Sequence, residues 1–331
     1  MLPALSRLGR NRAAQGIAAA VVAFGLLMWW LFPFGSPSPS GTLDFSTGVR
    51  TGVYQRYGEL LKQALASDLP DVRVDLRTSQ GSQQNLQRLA DGTADFTIAT
   101  ADSVDKFRKD NPAGGDRLRG CARLYDDYVQ LVVPRDSPVH SVADLRGKRV
   151  AVGQEGSGVR LLAGRLLTAA GLDPRKDITP LPAGIDTMPG LLRGKQIDAF
   201  FWSGGLPTTA VLKLSEEYPI RLVPLADLVS ALHKADRSTG YYRAATMPAD
   251  AYPKAQQGVA VPTIAVANLL VTTDRANAAL TEGFTRTVID SRDRIGREVH
   301  AAQLVDLRTA IYTDPLPLHD GARDYYLSVK P

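Results

Sequence analysis

The chain has 331 residues, of which 44% are apolar, so it is long enough for two compact domains and has the composition of a globular protein. The formal net charge is +5, and three of the positive charges belong to Arg7, Arg10 and Arg12 near the N-terminus. The remaining +2 is too weak a bias for nucleic-acid binding, and no block of basic residues with interleaved aromatics occurs, so no nucleic acid is expected as a partner.

An uncharged run of nineteen residues, Gly16 to Phe34, follows these arginines. It is long enough to span a bilayer, and it ends in WWLFPF rather than in the small-x-small cleavage site of a signal peptide, which has the same charge order. The pattern predicts an uncleaved signal anchor, a single-pass transmembrane helix in the cell membrane. With the arginines inside, the chain from about residue 41 onward is extracytoplasmic.

Strands and helices alternate in the part of the chain that follows. The spacing of apolar residues predicts strands over 42–47, 72–78 and 95–100, with helices over 53–66 and 83–90. This β-α-β-α-β order favours a mainly parallel sheet that is covered by helices on both faces.

The same plan repeats in a second part of the chain. A strand over 128–133 and the polar turn with Pro134 and Pro138 predict a crossing into a second domain. The elements predicted there are strands over 148–153, 178–181, 197–202 and 221–225 and helices over 159–170, 185–193 and 208–215. The β-rich segment 259–273 predicts the return crossing, and helices over 274–290 and 298–311 and a tail over 315–326 complete the first domain.

These crossings predict three parts of the chain and two hinges. Residues 1–40 form the anchor with a Ser/Pro tether, residues 41–133 and 263–331 form lobe 1, and residues 134–262 form lobe 2. The hinges are expected near residues 132–137 and 259–264, where the chain passes between the lobes.

Small polar residues cluster where several of the strands end. One such loop, GQEGSG, leads from a strand into a helix, whose unpaired N–H groups and dipole favour an anion near Gly156, Ser157 and Gly158. The other clusters are at 47–51, 79–82, 100–102 and 202–204. Because open α/β sheets bind ligands at the carboxyl ends of their strands, these loops predict one ligand cleft between the two lobes.

The residues argue against an enzyme. No Gly-x-Ser-x-Gly elbow surrounds Ser157, GQEGSG has the wrong glycine spacing for a dinucleotide site, and the four histidines show no metal-ligand spacing. Asp126 and Asp127 are adjacent acids just before a strand, and adjacent strand residues point to opposite faces, so glycosidase-type cooperation between them is not expected. No catalytic residue, metal or cofactor is expected.

Several long segments resemble the solute-binding subunits of TAXI-type TRAP transporters, which have the type II periplasmic binding protein fold. The resemblance covers nearly all of residues 42–326. The segments that carry it are TGVRTGVYQRYG from Thr47, TSQGSQQNLQRLADGTADFTIATAD from Thr78, LYDDYVQLVVPRDS from Leu124, DLRGKRVAVGQEGSG from Asp144, AGLD from Ala170, GKQIDAFFWSGGLP from Gly194 and LPLHDGARDYY from Leu316.

The resemblance implies a function and a set of ligand contacts. Members of the family deliver small organic anions, such as glutamate or related acids, to a membrane permease that is driven by an ion gradient. By position in the family's pattern, the ligand-contacting loops fall on Thr47, Gly48, Tyr54, Ser79, Thr100, Asp102, Ser157 and Trp202, and the Gly156–Gly158 turn and Ser203 adjoin them. We therefore expect a monomer that closes on its ligand by hinge motion.

Two arginines depart from the family's pattern. Arg50 lies in a first loop that is usually richer in glycine, and Arg160 lies in the first turn after Gly158. Either one is a candidate to pair bidentately with a ligand carboxylate, and the alternative for each is a solvated arginine at a helix end.

A second function is compatible with the same cleft. A membrane-anchored sensor would present its closed, ligand-bound form to a kinase or receptor instead of a permease, and the tether favours this arrangement. The sequence leaves open which partner is used, which acid is bound and whether a cation accompanies it.

Overall fold

The computed structural model describes residues 39–235 and 237–330, together with Val22 and Phe24. The predicted anchor lies outside this part of the chain, except for Val22 and Phe24, which are helical and exposed. By contacts the chain divides into a unit of residues 1–38 and a unit of residues 39–331. No helix within the described residues is both long and apolar enough to cross a membrane.

The described part of the chain alternates between strands and helices. The strands are β1 (Gly41–Ser46), β2 (Val72–Arg77), β3 (Phe96–Thr100), β4 (Leu118–Pro134), β5 (Arg149–Ala151), β6 (Thr179–Leu181), β7 (Ala199–Gly204), β8 (Ile220–Val223), β9 (Arg243–Met247) and β10 (Val261–Thr273). The helices up to β8 are α1 (Val53–Asp68), α2 (Ser82–Asp91), α3 (Ala101–Asp110), α4 (Pro112–Gly115), α5 (Gly158–Ala169), α6 (Met188–Arg193) and α7 (Thr209–Glu217). The later helices are α8 (Val229–Ala235), α9 (Pro253–Gln256), α10 (Ala278–Asp290), α11 (Arg292–Gly296), α12 (Leu307–Ala310) and α13 (Asp320–Ser328).

Short 3₁₀ helices occupy four of the connections between these elements. They are Val142–Leu145, Ala226–Leu228, Arg237–Tyr241 and His300–Leu304.

The strands form a single sheet in the order β2-β1-β3-β10-β4-β7-β5-β6, with β8 on β4 and β9 on β10. The pairs at both ends, among β1, β2 and β3 and among β5, β6 and β7, are parallel. The central pairs that involve β4 or β10 are antiparallel. The prediction of a mainly parallel sheet therefore holds at both ends of the sheet. It is wrong for the centre, where the two long strands β4 and β10 are antiparallel.

Strands β4 and β10 are shared by both ends of the sheet. They pair from Leu118 opposite Thr273 to Tyr128 opposite Ala265. Beyond that point their partners change, because residues 131–134 of β4 pair with β8 and residues 261–265 of β10 pair with β9. We call β1–β3, α1–α4 and α10–α13 the first half, and β5–β9 with α5–α9 the second half.

Each half has apolar clusters on both faces of its part of the sheet. Neighbouring residues of β7 show the alternation, since Phe200 packs into one cluster of the second half and Phe201 into the other. In the first half, the rings of Phe96 and Phe284 stack with their centroids 4.3 Å apart. Cys121 is free and buried in this core, as a small apolar residue would be.

Two further expectations differ from the structure. The strand that was predicted to start at Tyr128 begins at Leu118. Its first part was not predicted because polar residues such as Arg123 and Asp126, which pair with each other at 2.7 Å, interrupt the apolar pattern. The single helix predicted over residues 298–311 is wrong. The backbone of Val305 is extended there, and the carboxylate of Asp306 accepts the N–H of Arg308 at the start of α12.

Candidate ligand-binding cleft

A cavity lies where the two halves meet at the carboxyl ends of the parallel strands. Its empty space is about 720 Å³ when the open mouth is included. Loop and helix-start residues of the first half, such as Gly48 and Ser82, form part of its wall. Residues of the second half, such as Ser157 and Gly184, complete the wall, so a molecule inside would touch both halves.

Four helices begin at this cavity, namely α1, α2, α3 and α5. Val53, Ser82, Asp102 and Gly158 are in their first turns and line its wall. Helices α1, α2 and α3 have no side-chain cap, and Ser157 caps α5 by accepting the N–H of Arg160 at 3.1 Å. The first N–H groups of a helix lack intrahelical acceptors, and its dipole is positive there, so the cavity wall offers several sites for a negative group.

The two halves touch directly beside the cavity. The N–H of Gln84 in α2 donates to the carbonyl of Gly156 in the second half at 3.0 Å. Gly81 has φ +126°, a backbone conformation that favours glycine. A Cβ at this position would also lie 3.4 Å from Cα of Ser157, so the absence of a side chain lets the two loops come close together. The structure therefore shows the halves in contact.

A buried ion pair also joins the halves. Asp102 of α3 accepts from Nη1 of Arg165 in α5 at 3.2 Å and from the hydroxyl of Tyr242 at 2.6 Å. The guanidinium of Arg165 lies 5.7 Å from the centre of the Tyr242 ring. Asp102 lines the cavity, but its charge is compensated by a cation of the opposite half.

Asp127 is a second carboxylate in the cavity wall, and its partners are neutral. It lies in β4, is 4% exposed, and accepts from Nδ2 of Asn268 at 2.7 Å and from the hydroxyl of Ser203 at 3.4 Å. Burial raises its pKa to about 7, and the nearby charge of Asp102 acts in the same direction.

Neighbouring side chains hold Asp127 and Asn268 in place. The hydroxyl of Tyr54 donates to Oδ1 of Asn268, and Oγ of Ser82 lies 3.3 Å from the Tyr54 oxygen. Ser82 in turn accepts the N–H of Thr100 at 3.2 Å. Residues of α1, α2, β3 and β10 thus form one connected polar network along the cavity floor.

Asp126 and Asp127 face different surroundings, as strand alternation predicts. Asp126 pairs with Arg123 at 2.7 Å and with Arg243, whereas Asp127 faces the cavity. Sequence reasoning considered the two only as a catalytic pair and therefore missed Asp127. If the sequence had predicted a strand that includes both residues, the alternation of side chains along that strand would have indicated that one of the two faces the cavity.

Most residues singled out from the sequence come together around this cavity. Those in its wall are Gly48, Tyr54, Thr100, Asp102, Ser157, Gly158, Trp202 and Ser203. Trp202 is half-buried, and its Nε1 donates to Oγ1 of Thr208 at 3.1 Å, which fixes the plane of the indole. The cavity wall also contains apolar side chains that the sequence did not single out, including Leu162, Ile185 and Val266.

The other sequence-selected residues lie around the cavity rather than in its wall. The hydroxyl of Ser79 donates to the carbonyl of Thr47 at 3.0 Å, so these two residues brace neighbouring loops. Gly156 contributes the carbonyl that Gln84 contacts. Arg50 is exposed, and Arg160 pairs with Glu155 at 2.8 Å, so neither arginine contacts the cavity in this conformation.

The described residues contain no group of three or more His, Cys, Asp or Glu side chains that could hold a metal ion. Of the histidines, the buried His319 caps α13 by accepting the N–H of Gly321 at 3.1 Å.

Comparison with known proteins places the chain in a family. The model of the NMT1-like family matches residues 45–327. The chain belongs to the NMT1-like family. This match spans both halves.

Several solved structures are similar to this NMT1-like protein. An ancestral arginine-binding protein bound to arginine is 16% identical with a TM-score of 0.51, over 78% of this chain and 98% of that one. A putative L-cystine ABC transporter from Listeria monocytogenes is 13% identical with a TM-score of 0.50, over 80% and 98% of the two chains. The periplasmic aliphatic sulphonate binding protein SsuA from Escherichia coli is 19% identical with a TM-score of 0.47, over 89% and 84%. The first two likenesses show an α/β fold of the periplasmic binding protein kind.

We predict that Asp127→Asn stabilises the protein at neutral and alkaline pH. Folding raises the pKa of Asp127 from its ordinary value of 3.8 to about 7, so the folded protein holds a proton that the unfolded chain has lost between these values. The stability of the wild type therefore falls as pH rises from about 4 to about 7. The amide of the variant carries no charge to bury, so the gain grows over this window and reaches a few kcal/mol at most, at about 1.4 kcal/mol per pKa unit.

Thermal melting of the ligand-free wild type and Asp127→Asn at pH 5 and pH 8 measures this effect. We expect a higher melting temperature for the variant at pH 8 and a smaller difference at pH 5. An advantage that is equal at both pH values would contradict the titration of Asp127.

Proposed function

We propose that this protein is an extracytoplasmic solute-binding protein that captures a small organic acid in the cleft and delivers it to a membrane permease. The observation that carries the proposal is the cavity at the junction of the two halves, into which four helices direct their positive ends. A carboxylate fits this environment, and the polar network of the cavity floor can orient the rest of the molecule.

The fold supports a binding role over a catalytic one. An ancestral protein with this fold binds arginine, and a second protein with this fold is described as an L-cystine ABC transporter. Within the described residues of the cavity wall, no serine or threonine hydroxyl is hydrogen-bonded to a histidine. In the part of the chain that the structure describes, this wall also has no histidine or cysteine to act as a base or nucleophile.

We further propose that the two halves move as lobes. Lobe 1 comprises residues 41–133 and 263–331, and lobe 2 comprises residues 134–262. The change of partners along β4 after Tyr128 and along β10 before Ala265 supports hinges in these two strands. A ligand that touches both lobes favours the closed form by the difference between its affinities for the two forms.

The finer assignment rests on the sequence motifs. We propose a TAXI-type TRAP permease as the partner, with the chain held at the membrane by its N-terminal segment and its binding lobes working as a monomer. Arg50 and Arg160 stay candidates for guiding an acid to the open cleft, because both are close to cavity-lining residues in sequence.

The direct test is a thermal-shift screen of the purified full-length protein. The panel contains amino acids, dicarboxylates, aliphatic monocarboxylates and sulfonates, and the hits are measured by isothermal titration calorimetry. A solute that binds the folded state raises the melting temperature by mass action, by about 3 kcal/mol of stability at a concentration 100-fold above its Kd. If no small acid of any class shifts the melting temperature, the proposed function is wrong.

Trp202→Ala should weaken ligand binding without unfolding the protein. The indole forms part of the cavity wall, and its removal takes away apolar contact area while leaving the fully buried core residues of β7 in place. We expect a loss of about 10-fold or more in affinity by calorimetry and an unchanged far-UV circular dichroism spectrum. Tyr312 is an exposed aromatic residue outside the cavity wall, and Tyr312→Ala serves as the control. Equal affinities of Trp202→Ala and the wild type would remove Trp202 from the site.

Arg165→Met should favour the open form. Arg165 is outside the cavity wall, and its ion pair with Asp102 joins the two halves, so the variant loses a contact of the closed form. We expect weaker binding and a larger radius of gyration in ligand-saturated small-angle X-ray scattering. The control is Arg149→Met, because Arg149 pairs with Asp198 at 2.7 Å inside the second half. The same affinity and radius for Arg165→Met as for Arg149→Met would contradict this account of closure.

A further inference from the structure

The charges in the cavity wall do not match a simple anion. The described residues that line it include two aspartates, Asp102 and Asp127, and no lysine, arginine or histidine. The positive ends of the helices attract the carboxylate of a ligand. A second carboxylate on the ligand would be repelled by Asp127, which has no cation beside it among the described residues of the wall.

The two aspartates are not equivalent. Asp102 is compensated by Arg165, whose Nη1 lies 3.2 Å away, and by the hydroxyl of Tyr242. Asp127 is bound by the neutral groups of Asn268 and Ser203 alone among the described residues. A carboxylate this deeply buried is normally paired with a cation, and the side of Asp127 that needs one faces the cavity.

The apolar residues of the cavity wall indicate which kind of side chain the ligand carries. Val49, Val53, Leu162, Ile185, Val266 and the indole of Trp202 line the cavity. Apolar side chains of this kind favour an apolar molecule, because burial of apolar surface contributes about 25 cal/mol per Å². The polar side chains of Gln80 and Gln154 also line the cavity, so the apolar preference belongs to the part of the wall that these six residues form.

On the basis of the solute-binding function proposed above, we propose that the cavity binds an amino acid with an apolar side chain, whose ammonium group is held by Asp127. The carboxylate of this ligand takes the N–H groups at the helix starts, the ammonium donates to Asp127, and the side chain packs on the apolar wall. Each part of the molecule then meets groups of matching character, and the ligand supplies the cation that Asp127 lacks.

This arrangement makes binding depend on pH through Asp127. The titratable groups that bear on its carboxylate are Asp102 of α3, Tyr54 of α1 and Tyr125 of β4, and the neutral Asn268 and Ser203 come from β10 and β7. Burial raises the pKa values of both tyrosines, so they stay neutral at physiological pH. With the pKa of Asp127 near 7, the ligand must displace a proton when it binds at lower pH. The affinity should fall about tenfold from pH 8 to pH 6.

The test compares matched ligands by calorimetry on the full-length protein. The pairs are leucine with isocaproate, valine with isovalerate, and phenylalanine with hydrocinnamate, so each pair differs by the amino group alone. Glutamate and glutarate form a pair with a second carboxylate. We expect at least one apolar amino acid to bind, and to bind more tightly than its amine-free partner and than glutamate.

Asp127→Asn should weaken binding of that amino acid by about 10- to 100-fold, the effect of losing a hydrogen bond to a charged group. It should leave the amine-free partner unaffected and abolish the pH dependence. The matched control is Asp126→Asn, since Asp126 is adjacent in β4 and pairs with Arg123 and Arg243 instead of facing the cavity. The melting temperature of each variant reports whether it is folded.

Two results would overturn the proposal while leaving the solute-binding function intact. One is tighter binding of amine-free acids or of glutarate than of any apolar amino acid. The other is an equal loss of amino-acid affinity in Asp127→Asn and Asp126→Asn. If no member of any pair binds, the proposed ligand is wrong, and the proposed function is then decided by the wider thermal-shift screen, which also contains sulfonates.

Discussion

The antiparallel pairing of β4 with β10 is the interaction on which the rest of the structure depends. These two strands run through both halves, and they pair directly from Leu118 and Thr273 to Tyr128 and Ala265. Each then takes new partners, so a single pair of strands builds two sheet ends with different neighbours. The parallel strands at both ends direct their carboxyl ends, and the helices that follow them, to the same place. The cavity arises there as a consequence of the topology.

The same pairing explains how a buried carboxylate is held at the cavity. Asp127 is one residue before Tyr128, where the two strands last pair, and Asn268, which contacts it at 2.7 Å, belongs to β10. Asp127 is held opposite Val266 in this pairing, whereas Asn268 lies at an irregularity of the pairing and is opposite Thr100 of β3. A buried charge with neutral partners lowers the stability of the fold, and such groups are concentrated at functional sites where a ligand compensates for them. The adjacent Asp126 has two arginine partners and carries no such imbalance.

Much of the fold followed from the sequence because the relevant signals are local. The alternation of apolar residues located β1, β2 and β3 and the helices between them, and the glycine-rich turn before α5 marked a helix start at the cavity. The first part of β4 was missed because Arg119, Arg123, Asp126 and Asp127 give it the composition of a surface loop. Arg119 and Asp126 also have partners in distant parts of the chain, Asp274 and Arg243, and no local pattern reveals them.

The candidate site shows the same limit. Loop residues such as Gly48 and Ser157 could be chosen because open α/β sheets bind ligands at the carboxyl ends of their strands. The charge balance of the cavity could not be predicted from the sequence, because it depends on which ionic groups are paired in the folded protein. Arg160 is next to the glycine turn in sequence yet pairs with Glu155, whereas Arg165, one turn further along α5, neutralises Asp102 across the halves. Sequence proximity thus suggested a positively charged site, but the contacts leave an uncompensated carboxylate. Closure and ligand choice are linked for this reason: the contact between Asp102 and Arg165 accounts for one of the two buried aspartates when the halves meet, and it leaves the other one for the ligand.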